Sequence, residues 1–346
     1  MIRNLCYLKF GFQDLSEMLQ WNANPIRLDL KYTWKLSRNA TNYKINTIIT
    51  VTDGQYTGKG EVAPNIRYQE TPERVMQEFE LFNAKHPAQI KDINDLTALL
   101  NELKPCNALR FGIESAYIHF LCAKNNQPLH SYLGVEKVSS MATAFSLPIM
   151  ETAAIADFFK NYNLSRFDKI KIKVNAEQAH GLLRAVTAIC NKPLIIDANE
   201  GWKDPEELIR FLETLKPYPI DIIEQPMPAD MEAAYTHVKQ HSPFPLFADE
   251  SVCAEADFEK LTHRFDGINM KLMKAGGYLN GIYLLNEARK HGMKTMVGCM
   301  VETTLGIASA LQLCSGVHVV DLDGFLIIKD EPFGLVKEEN GKLSLS

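Results

Sequence analysis

No Cys-x-x-Cys pair occurs in this chain of 346 residues, although it carries seven cysteines. They are odd in number and scattered, at positions 6, 106, 122, 190, 253, 299 and 314. That distribution excludes a zinc ribbon or a dithiol redox motif and reads as reduced thiols in a cytoplasmic protein. Runs of basic residues are also missing. The net charge is −5 and the pI about 6.0, so the electrostatic footprint of a nucleic-acid partner is absent. Apolar runs such as Leu194–Ile196 and Phe325–Ile328 are far too short to span a bilayer. The opening MIRNLCYLKFGFQDLSEM mixes Arg3, Lys9, Asp14 and Glu17 among apolar residues, which excludes a clean signal-peptide core. Neither G-x-G-x-x-G after a strand-like run nor a Walker A sequence is found, which speaks against a phosphate-cradling turn. At 46% hydrophobic and 23% charged, the chain has the composition of a globular protein with one large core or two smaller ones.

The pattern divides the chain into three parts. Residues 26–62 alternate apolar and polar residues around Asp53-Gly54, a hairpin signal. From Thr71 to about Cys122 the period becomes helical, and TPERVMQEFELF opens with a Thr cap and Pro at the first helical position. Residues 1–137 therefore read as an α+β capping domain. From 138 to 324, eight short β-branched runs alternate with amphipathic helical stretches: MATAFSL, KIKIKV, PLIID, IDIIE, PLFAD, GINMK, KTMVG and VHVVDLDG. Alternation of this kind predicts parallel βαβ units, and eight of them predict a modified (β/α)8 barrel, with a doubly wound open sheet as the alternative. Residues 325–346 lose the rhythm and are expected to pack back on the capping domain.

The polar residues at the carboxyl ends of these runs carry the chemical information. They are Lys171 and Lys173, then Asp197, Glu224, Asp249 and Lys271, with Asp321 and Asp323 on the last run. Consecutive members from Lys173 to Lys271 stand 22 to 27 residues apart, one βα unit each. This spacing places them around one rim, where barrel active sites are built. A single Asp after a strand reads as a helix cap or turn residue. Three carboxylates in register after consecutive strands repel one another unless a cation sits among them, and all-oxygen ligands favour Mg²⁺ before Ca²⁺ or Mn²⁺. His237 and His241 share a helix face but have no carboxylate on a strand end, and read as a solvated face. In KIKIKV, Lys171 and Lys173 share one face of the strand, which in a barrel is the inner one. Two ammonium groups that close, near a cation, are expected to lower each other's pKa, making a usable general base. Lys271 is expected to lie across the barrel from them.

Five segments, KIKV (171–174), DANEGW (197–202), IIEQP (222–226), FADES (247–251) and NMKLMKAGG (269–277), together resemble the enolase superfamily, and within it the muconate-lactonizing subgroup. GKGEVAP (58–64) and ALRFGIESA (108–116) resemble its capping-domain segments. The resemblance implies a Lys base and Mg²⁺ stabilising an ene-diolate. It implies Asp197, Glu224 and Asp249 as metal ligands, Lys173 and Lys271 as acid/base residues, and Lys171 as a neighbour that tunes Lys173 or touches the substrate carboxylate. Lys274 matches a position that is often basic and is not the catalytic lysine.

VVDLDGF (319–325) narrows the reaction. Asp321 and Asp323 are similar to the paired aspartates of the dipeptide epimerases, which hold a substrate's free α-ammonium; the alternative is a turn before Gly324. VGCMVETTLG (297–306) also resembles the segment preceding that pair. Arg38, in WKLSRNATNY, resembles the position that pairs with a glutamate side chain in alanyl-glutamate epimerases; the alternative is a surface arginine at a strand end. The expected enzyme is thus an isomerase that inverts the C-terminal residue of a small dipeptide, L-Ala-D/L-Glu being the best single choice, with a link to cell-wall peptide recycling. Phe325, where proline is common, and Glu200, where glutamine is common, depart from the pattern. Open alternatives are an o-succinylbenzoate synthase, a muconate cycloisomerase or an N-acylamino acid racemase on the same scaffold, and an inactive binding protein. The sequence leaves homo-oligomerisation open.

Overall fold

The computed structural model of the chain describes residues 18–36 and 39–346. Its first sheet is antiparallel, in the order β1 (Gln20–Lys35), β2 (Ala40–Thr52), β3 (Thr57–Val62). The Asp53-Gly54 turn between β2 and β3 is closed by Asp53, whose Oδ1 accepts the backbone N–H groups of Gln55 and Tyr56 at 3.0 and 2.8 Å. Helices Pro72–Ala84, Ile93–Leu103 and Asn107–Lys124 follow. Thr71 caps the first of them by accepting the N–H of Arg74 at 3.2 Å. The long helix Asn107–Lys124 lies directly on β3. A Cβ at Gly58 would stand 2.0 Å from the carbonyl oxygen of Ala116, so only glycine permits this approach.

Eight parallel strands then form one sheet in chain order: β5 (Phe145–Leu147), β6 (Ile170–Lys173), β7 (Leu194–Asp197), β8 (Ile220–Glu224), β9 (Leu246–Ala248), β10 (Gly267–Met270), β11 (Lys294–Gly298) and β12 (Val319–Asp321). The first and last approach each other, and Ala144 N–H donates to the Val320 carbonyl at 2.8 Å. This is the expected (β/α)8 architecture with a separate antiparallel domain. The run 141–147 is not one strand, however. Met141–Ala142 forms a separate short strand, β4, that pairs with β14 (Lys342–Leu345), itself in a hairpin with β13 (Val336–Glu339). The tail is thus divided between two partners. Residues 327–329 run antiparallel to β1, with Lys31 N–H donating to Ile327 O at 2.8 Å, whereas the terminal hairpin lies at the amino-terminal end of the barrel.

Strand alternation sorts the barrel interior into layers. Ile195, Ile222, Phe247, Met296 and Val319 form a closed apolar cluster inside the barrel, apart from the larger core under the helices. Asp197, Glu224, Asp249, Gly298 and Asp321 stand two residues further along the same chain segments, one pleat higher. The apolar plug is therefore the floor of the polar site. Among the described residues, no helix is long and apolar enough to cross a membrane.

Candidate active site

Register places the charged residues level with one another. Lys173 is paired with Asp197 across β6–β7, and Asp197 with Glu224 across β7–β8. Asp249 follows β9, and Lys271 follows β10, four strands from Lys173 in the eight-stranded sheet, so the two lysines face each other across the barrel. One oxygen from each of Asp197, Glu224 and Asp249 lies within 4.8 Å of the others, and all three side chains are buried. Lys173 Nζ is 2.5 Å from Asp197 Oδ2, and Lys271 Nζ is 2.8 Å from Asp249 Oδ2.

Lys171 has a different position. Its register partner is Ile195, so it rises from the layer of the apolar plug. Only 1% exposed, it reaches Asp197 at 3.0 Å, Glu224 at 2.8 Å and Asp321 at 2.8 Å. Burial works against its charge, but Asp197, Asp321 and Glu224 outweigh it and hold the ammonium well above its ordinary range. Burial likewise opposes the charge of Lys271, and Asp249 more than compensates. The carboxylates divide in turn. Burial opposes ionisation of Asp197 and Asp249, yet the lysines around each keep both below the usual carboxylate range. Glu224 is pushed up to about 7 by burial and by the neighbouring charge of Asp197.

Asp321 ends β12, but Asp323 lies beyond the strand rather than on it, in the turn that leads to Gly324. Both still reach the site because Ser146 of β5 gathers them. Its N–H donates to Asp323 Oδ2 at 2.5 Å, and its hydroxyl lies 3.2 Å from Asp321 Oδ1. Burial and the charge of Asp321 raise Asp323 to about 7. Lys171, Lys173, Lys271, Asp249, Asp321 and Asp323 all line one cavity between the barrel rim and the first domain. Arg38 lies outside the described residues.

Several residues support the site from behind, and of these Gln225, Asn269 and Asn199 were not singled out by sequence. Gln225 Oε1 accepts the N–H groups of Asp249 and Ser251, and Asn269 Nδ2 donates to Glu224 Oε1 at 2.9 Å. Lys274, fully buried, donates to Asp249 Oδ1 at 2.6 Å and to the Asp249 and Asn269 carbonyls, which fixes the carboxylate from behind. The signal for Gln225 and Lys274 was present in IIEQP and NMKLMKAGG as a polar residue where a barrel interior has no solvent to offer. Asn199 and Glu200 both adopt left-handed backbone, at φ +44° and +66°, in the turn above Asp197. Non-glycine residues are uncommon in that region.

An all-oxygen, buried, trivalent cluster fits a hard divalent cation, and Asp197, Glu224 and Asp249 are the residues that would hold it. Residues 154–323 match the enolase C-terminal domain-like family. The chain is 32% identical to the L-Ala-D/L-amino acid epimerase of Pedosphaera parvula, over 93% of this chain and 94% of that one.

The chain belongs to the enolase superfamily.

A second superfamily relative, the L-Ala-D/L-Glu epimerase of Bacteroides thetaiotaomicron, is 29% identical over 93% of this chain and 84% of its own length. Among solved structures, an enolase family member from Agrobacterium tumefaciens with homology to dipeptide epimerases superimposes with a TM-score of 0.85 at 27% identity. It covers 95% of this chain and 98% of that one, and was determined with sodium and L-Ala-L-Glu bound. The two relatives from Pedosphaera parvula and Bacteroides thetaiotaomicron are named as epimerases, and this chain is an isomerase of that class.

Proposed function

We propose that the enzyme inverts the α-carbon of the C-terminal residue of a dipeptide, L-Ala-D/L-Glu being the best candidate, by two-lysine 1,1-proton transfer. The observation that carries this reading is the placement of Lys173 and Lys271 on opposite sides of one cavity that also holds Asp321 and Asp323. An inversion needs one group to take a proton from one face and another to deliver a proton to the opposite face. The lysine acting as base starts as the free amine and the other starts as the ammonium. Their states are exchanged at the end of a turnover, so the same pair runs the reaction in both directions. By similarity to the family, Lys173 serves the L configuration and Lys271 the D configuration.

Mg²⁺ held by Asp197, Glu224 and Asp249 would supply Lewis-acid stabilisation of charge developing on the substrate carboxylate. The ammonium of Lys171 lies against the same carboxylates and adds a fixed positive charge there. Asp321 and Asp323 supply the negative charge that a free α-ammonium needs. Muconate, o-succinylbenzoate precursors and N-acyl amino acids carry no such group, and that favours the dipeptide over the other reactions of the scaffold.

The test is exchange in deuterium oxide with Mg²⁺, using L-Ala-L-Glu and a small panel of dipeptides read by proton NMR and mass. The expected result is gain of one deuterium at the C-terminal α-carbon together with the diastereomer, and loss of both when Mg²⁺ is chelated. Exchange of N-acyl amino acids with no dipeptide reacting would overturn the assignment of Asp321 and Asp323.

A further inference from the structure

We infer that Lys44 is the residue that selects an acidic side chain on the C-terminal residue of the substrate. This rests on the dipeptide reading above and extends it to substrate class. Lys44 lies on β2, in the first domain, in phase with Asn46, so both side chains leave the strand on the face turned toward the barrel. Asn46 fixes that face: its Nδ2 donates to the Val301 carbonyl at 3.0 Å and to Glu61 at 2.8 Å. Lys44 itself lines the cavity that holds Lys173, Lys271 and Asp321, beside Trp34, Leu36 and Ile327.

Every other lysine of that cavity has carboxylates at 2.5 to 3.0 Å. Lys44 pairs with no carboxylate among the described residues, although it is largely withdrawn from water, and burial lowers its pKa. A desolvated ammonium without a counter-charge is costly in an empty pocket and becomes favourable when an anion enters. The substrate has one group left to offer. Its terminal carboxylate is assigned to the Mg²⁺ that Asp197, Glu224 and Asp249 would hold, its α-ammonium to Asp321 and Asp323, and its mobile proton to the two lysines. The side chain of the C-terminal residue is what remains to face the first domain. Apolar neighbours suit the methylenes of such a side chain, and Lys44 suits a carboxylate at its end, as in Glu or Asp.

Calorimetric binding of L-Ala-L-Glu and its neutral isostere L-Ala-L-Gln to the Mg²⁺-loaded enzyme tests this independently of turnover. The wild type should prefer the Glu dipeptide by about tenfold or more, as expected for a hydrogen bond to a charged group in a desolvated site. In Lys44→Met the ratio should fall toward one. Lys44→Arg should retain it, and Lys44→Glu should shift preference to L-Ala-L-Lys. Far-UV circular dichroism of each variant identifies one that has failed to fold. A Lys44→Met ratio equal to that of the wild type would overturn the proposal, as would loss of the preference in Arg38→Ala while Lys44→Met keeps it. Tight, Lys44-dependent binding of L-Ala-L-Glu without deuterium exchange would leave this inference standing and remove the epimerase reading instead.

Discussion

Arg67 and Glu200 join the two domains through a forked ion pair, with Arg67 Nε 2.6 Å from Glu200 Oε2 and Nη2 2.7 Å from Oε1. Glu200 stands where the family commonly has glutamine, and it sits in the left-handed turn above Asp197, one of the residues that would hold the metal. The extra negative charge is thus answered from the first domain rather than left in the pocket. It also accepts the N–H of Ala229 at 3.0 Å, which ties the turn to the loop after β8. Arg67 belongs to the segment whose Ala63, Pro64, Asn65 and Tyr68 line the cavity.

Glu200→Gln should therefore act on the fit between domains before it acts on chemistry. An amide oxygen accepts from only one prong of the guanidinium, so the fork is lost. Arg67 is about one-third exposed, and solvent screening limits the stability cost to about 1 kcal/mol. Urea denaturation should show a loss of that size, and dipeptide kinetics a raised KM with kcat changed less. A Glu200→Gln enzyme with a wild-type KM would mean that the pair does not position the cavity wall.

Removing either lysine should separate the two half-reactions. In Lys271→Ala, epimerisation should fall by about 10²–10⁴-fold, the range for a lost acid/base group. Exchange into one diastereomer by Lys173 should survive that change, and Lys173→Ala should show the opposite stereochemical preference. Deuterium incorporation starting from each diastereomer distinguishes the two. Wild-type rates in both directions for Lys271→Ala would end the two-base scheme.

Asp321, the last residue of β12, has an ion pair that Asp323 lacks, with Lys171 at 2.8 Å. Asp321→Asn removes one charge from the pair while keeping the hydrogen bond to Ser146 available. The KM of a dipeptide with a free amine should rise about tenfold or more, as for loss of a charged hydrogen bond. The same substitution should penalise an N-acetylated dipeptide far less. Equal effects on the two substrates would show that Asp321 acts through Lys171 and not through the substrate ammonium.

What was legible in the sequence followed from period and spacing. A charged residue at each strand end, one βα unit apart, forces a ring on one rim whatever the details of the helices, so Asp197, Glu224, Asp249 and Lys271 were readable. The different depth of Lys171 and Lys173 was not. It depends on the register of β6 against β7, which places Lys171 level with Ile195. Arg67–Glu200 joins residues 133 apart in two domains, and no local pattern links them. The partner of the terminal hairpin was likewise hidden. β4 is two residues long, and a run read as one barrel strand contained both it and β5. Lys44 was masked by its own strand, where alternation alone reads a lysine as solvent-facing.

The contact between the domains should also set a pH dependence of stability. Glu61 on β3 is fully buried against the barrel, accepting Thr303 N–H at 2.9 Å, Thr303 hydroxyl at 2.6 Å and Gly306 N–H at 2.9 Å. Glu302 lies beside it, and its carboxyl is pushed up to about 8 by burial first and then by the charge of Glu61; Glu61 itself is raised by burial. A carboxyl whose folded pKa lies above its unfolded value of 4.5 binds more protons in the folded state. Its stabilising contribution is complete below that value and is lost as pH rises through about 8, with a slope of up to about 1.4 kcal/mol per pH unit. Glu302→Gln keeps a neutral group of the same shape and removes the titration. Denaturation midpoints should then fall less steeply across that window in the variant than in the wild type, with the two proteins close at the acid end and the variant more stable at the alkaline end. Parallel curves for the two proteins would show that Glu302 is ionised in the folded state throughout.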